Sequence, residues 1–65
     1  MNAQLLEQFG DLVIALKARG VSGVTIVANL MHVAAMQAMA DGAGEEQFAE
    51  AARFTFRRVQ SAVTT

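Results

Sequence analysis

The chain has no cysteine, proline, tryptophan or tyrosine, and only one histidine. Each absence closes off a class of molecule. Without thiols there is no disulfide framework, which fits a reducing compartment, so a cytoplasmic location is expected. With no thiol and only His32 to supply an imidazole, neither a metal centre nor a bound cofactor is expected. Without proline, the five glycines do the punctuating. Charge is scarce as well. Five basic residues against six acidic ones leave a net charge of -1, so no global field gathers nucleic acid or an anionic bilayer. No leader segment is expected either, because Glu7, Asp11, Lys17 and Arg19 interrupt the opening stretch.

What is present is apolar. Hydrophobic residues make up 54% of the chain, chiefly Ala, Val, Leu and Met, which argues against disorder. From Gly20 to Ala40 there is no formal charge when His32 is neutral. A helix apolar on nearly every side has to be buried on nearly every side. Residues 1–65 make one small domain at most, and a domain of this size buries only about 60% of its unfolded surface. With disulfides and metals set aside, self-association is the remedy left. A membrane span is not expected. The charge-free run contains Thr25, Asn29, His32 and Gln37, and its continuous part from Val24 to Ala40 is short for a hydrocarbon core about 30 Å thick.

The glycines divide the chain into three helical segments. The first runs from about Asn2 to Arg19, with Leu5, Leu6, Phe9, Leu12, Val13 and Leu16 on one arc. Gly10 lies inside it, either a tolerated defect or a place of close helix approach. At its end Gly20 stands where a left-handed residue closes a helix, and Val21 can reach back to Leu16. Ser22 is a good N-cap for the next helix, with Val21 and Ile26 placed as a hydrophobic staple. The second helix runs from about Gly23 to Ala40. The segment Asp41-Gly42-Ala43-Gly44 reads as a loop. A third helix starts near Glu45, with Phe48, Ala51, Ala52, Thr55, Phe56, Val59, Ala62 and Val63 on its apolar arc, and its last residues are expected to fray. No internal repeat and no low-complexity tract is visible. The expected fold is all-α: three helices in up-down-up order around an apolar central helix, completed as a homodimer.

Several residues stand apart from that frame. Val27, Leu30, Met31, Ala34 and Ala38 form one face of the second helix, the candidate self-association seam. Phe54 lies opposite the apolar arc of the third helix, with Glu50 and Arg58 a turn away on either side. Aromatic residues and arginine are enriched at protein interfaces, so Phe54, with Arg57 and Arg58, marks a partner-binding surface. Ile14 is the matching oddity on the first helix. Its plainer explanation is cover by the third helix. Thr25, Asn29 and His32 follow helical spacing, continued by Met36, and make a mildly polar stripe. They either line a ligand pocket between protomers or hydrogen-bond locally. Met31, Met36 and Met39 read mainly as gap-fillers in a core or dimer seam.

Catalytic parts are missing. No nucleophile is paired with a base and an orienting acid, so an enzyme is not expected. The only basic cluster, Arg53, Arg57 and Arg58, shares its side with Glu46 and Glu50 and reads as a salt-bridged, solvated face. A helix-turn-helix reading fails on chemistry. The second helix would offer Ser22, Gly23, Val24, Val27, Ala28 and Met31 to a groove that is read by Arg, Lys, Asn or Gln. The leading expectation is a small non-enzymatic homo-oligomeric interaction protein: an adaptor, regulator or inhibitor that binds another protein through helix faces. The alternatives are a nucleic-acid-binding regulator using the arginines of a dimer, and a small-ligand sensor or sponge with its pocket at the protomer interface.

Overall fold

In a computed structural model that describes residues 2–64, three α-helices follow one another. α1 spans Ala3–Ala18, α2 spans Gly23–Ala40 and α3 spans Glu45–Thr64. Among the described residues no strand accompanies them, and the protein is all-α. α1 begins at Asn2, whose side-chain oxygen accepts from the N–H groups of Gln4 (2.9 Å) and Leu5 (3.1 Å). Two of the orphan donors at the helix start are thereby satisfied. α3 is helical through Thr64, and the expected fraying of the last residues falls partly on Thr65, outside the described residues. The Thr64 hydroxyl donates to the Gln60 carbonyl at 2.9 Å, satisfying one acceptor of the last turn.

The turn after α1 follows its local chemistry. Gly20 has φ +89°, a conformation that costs any residue with a Cβ. Its N–H donates to the Lys17 carbonyl (3.0 Å) and the Val21 N–H donates to the Leu16 carbonyl (3.1 Å), the two bonds of a Schellman closure. Ser22 then caps α2. Its hydroxyl accepts from the Thr25 N–H at 3.2 Å and donates to the Thr25 hydroxyl at 2.9 Å.

The segment after α2, which the sequence marks only as a loop, repeats that construction. Gly42 has φ +86°. Its N–H donates to the Met39 carbonyl (3.0 Å), and the Ala43 N–H donates to the Ala38 carbonyl (2.9 Å). Gly44 takes the place of Ser22 and has no side chain to cap with. The helix answers with Gln47, whose side-chain oxygen accepts from the Gly44 N–H at 2.9 Å, half of a capping box. Gly20 and Gly42 stand twenty-two positions apart, and every residue of the two turns corresponds at that offset.

The structure divides into two compact units, Met1–His32 and Val33–Thr65, with the division falling inside α2. In the first unit the burial gathers at the turn. Ile26 is 5% exposed, the one buried hydrophobic residue among those described, and Val13, Leu16 and Val21 are half-buried. In the second unit Ala35, Ala38, Ala43, Phe48, Ala49 and Ala52 are half-buried, and none is fully buried. Elsewhere the helices carry apolar arcs that stay in contact with solvent.

Candidate functional site

The surface is the notable feature of this chain. Among the described residues, sixteen large apolar side chains are exposed, against one that is buried.

Most of the candidate seam lies on that surface. Val27, Leu30 and Met31 are exposed, as is Ala34. Ala38 is different. It is half-buried and belongs to the wall of a concavity in the second unit. Val33, Met36 and Met39 are exposed too, so the methionines of α2 do not fill a core within the chain. By length and composition α2 also meets the requirements of a membrane-crossing helix.

The candidate partner surface is open. Phe54 is 62% exposed, and the Arg58 guanidinium lies over its ring, 5.8 Å from the centroid. Arg58 therefore covers the ring as well as rimming it. A cation over an exposed ring contributes about 0.5–1 kcal/mol and holds both side chains in place. Arg53 and Arg57 are exposed on the same helix. Ile14 is 68% exposed.

The polar stripe of α2 is spent on local bonds. The Asn29 side-chain amide donates to the Thr25 carbonyl at 2.8 Å, and the Thr25 hydroxyl accepts from Ser22. His32 is exposed. Gln37, the remaining polar residue of the run, donates from its side chain to the Asp41 carboxylate at 3.1 Å. Thr25, Asn29 and His32 do not line the concavity of the second unit. That concavity has a volume of about 420 Å³ and is lined by Ala35, Ala38, Met39, Ala43 and Phe48, with Gly44 and Glu45 at the head of α3. Residue identity does not reveal it, because its walls are alanine. The signal that could have found it is the twenty-two-residue spacing of the two turns.

No group of three or more metal-ligating side chains occurs among the described residues. Comparison with protein-family models, curated proteins and solved structures finds no match to this chain. The functional reading rests on the geometry above.

Proposed function

We propose that the chain is a self-associating, non-enzymatic interaction protein, an adaptor, regulator or inhibitor that binds another protein through helix faces. Its three helices run up-down-up, and a second copy completes them as a homodimer. The observation that carries this reading is the single buried side chain set against sixteen exposed large apolar ones. Exposed apolar patches of that extent mark interaction surfaces in soluble proteins.

Val27, Leu30 and Met31, exposed along one face of α2, supply the seam between protomers. Asn29 and Thr25, with their polar groups satisfied locally, do not oppose its closure. The Phe54 ring under Arg58, with Arg57 beside it and Ile14 on α1, supplies the surface for a different protein. A seam rather than a bilayer is the place for α2. Its length suffices for a bilayer, but Asn29, His32 and Gln37 would enter lipid with it.

Light scattering behind size exclusion tests the reading. A mass of twice the 6.9 kDa chain is expected, and Phe54→Ala is expected to leave that mass unchanged. A folded chain of single mass would contradict the self-association. Partition of the chain into lipid vesicles, with no dimer in water, would replace the seam by a membrane.

A further inference from the structure

Residues twenty-two positions apart play corresponding parts in the two units. Val13, Leu16 and Val21 are the half-buried companions of Ile26 in the first. Ala35, Ala38 and Ala43 hold the same stations relative to Phe48 in the second. Each alanine is two or three carbons shorter than its counterpart. Protein interiors pack closely, and a void among apolar side chains forfeits the contacts its lining would make. In the second unit the missing carbons leave a concavity of about 420 Å³ lined by those alanines, Met39 and Phe48. Such a wall fits apolar side chains brought from outside.

Charge identifies what brings them. The first turn carries Lys17 and Arg19, and the second carries Asp41, Glu45 and Glu46, with Glu45 itself lining the concavity. α1 ends at that basic turn and presents Leu5, Leu6, Phe9 and Leu12 to solvent.

The geometry points to the concavity at the second turn as the acceptor for the first unit of a second copy. The exposed row of α1 fills the space that Ala35, Ala38 and Ala43 leave open, and Lys17 and Arg19 meet Asp41, Glu45 and Glu46. Exchanged reciprocally, the two contacts close as a two-fold pair. The inference rests on the self-association proposed above and adds to its α2 seam a contact at the second turn.

Ala38→Leu tests it, because it gives the second unit the leucine that the first has at Leu16. Sedimentation equilibrium reads the dimer dissociation constant, and circular dichroism reads helix content. The expected result is unchanged helix with dimerisation weakened about tenfold or more, as overfilling an occupied site would require. A folded Ala38→Leu chain that dimerises as the natural chain does would overturn the inference. Charge provides a second arm should that variant lose its helix. Arg19→Glu is expected to weaken the dimer about two- to fivefold, and Glu45→Arg in the same chain to restore it. No weakening by Arg19→Glu, or no restoration, would overturn it. A monomeric natural chain would remove the self-association and this inference together. A natural dimer indifferent to Ala38→Leu and to the charge exchange would remove this inference alone.

Discussion

Gly10 is the residue at which propensity and structure part company. It sits inside α1, yet a Cβ built on it meets nothing within 4 Å. The close helix approach it might have served does not occur within the first unit. Gly10→Ala is therefore expected to raise stability by about 1 kcal/mol in thermal or urea unfolding. Gly20 and Gly42 have the same open surroundings but positive φ. Alanine at either is expected to lower stability by about 1–2 kcal/mol, through backbone strain alone. Phe54 was legible as an outlier because it breaks the arc of its helix. Its pairing with Arg58 was half legible, since one-turn spacing brings two residues near each other without fixing which covers which. The stripe of Thr25, Asn29 and His32 was legible as spacing but not as a pocket. Asn29 bonds to the carbonyl one turn back, and no pattern of identities separates that from a side chain aimed at a ligand.

The first turn could be read from sequence because glycine, a staple pair and a capping serine each demand the same geometry. Ile26 is buried at that staple. Ile26→Ala is expected to lower stability by about 2–5 kcal/mol, the cost of a core truncation. Ser22→Ala is expected to cost about 1 kcal/mol through loss of the cap on the Thr25 N–H. The second turn was hidden because its parts are the weakest of their kind. Alanine stands for the staple valine and glycine for the capping serine, and the compensating bond comes from Gln47, three residues on. The boundaries of α2 were legible from the two glycine clusters. The exposure of its flanks was not, because an all-round apolar helix announces burial without saying by what.

For the whole molecule, the open question is where so much apolar surface goes. Leu30 separates the two answers. In the chain by itself it is 42% exposed, and truncating such a residue on a free surface changes stability by no more than about 0.5 kcal/mol. Covered by a second copy, Leu30→Ala is expected to cost at least about 2 kcal/mol, as a buried leucine does. The all-α class was legible from periodicity and glycine placement. The concavity at the second turn was not, because it appears only when the two units are compared station by station. The most direct measurement is thermal unfolding across a hundredfold dilution of the natural chain. If two copies share one core, the unfolding temperature falls on dilution, because association stabilises the folded state by mass action. An unfolding temperature independent of concentration, with a single cooperative transition, would mean that the three helices hold themselves and that their apolar faces serve something other than a second copy.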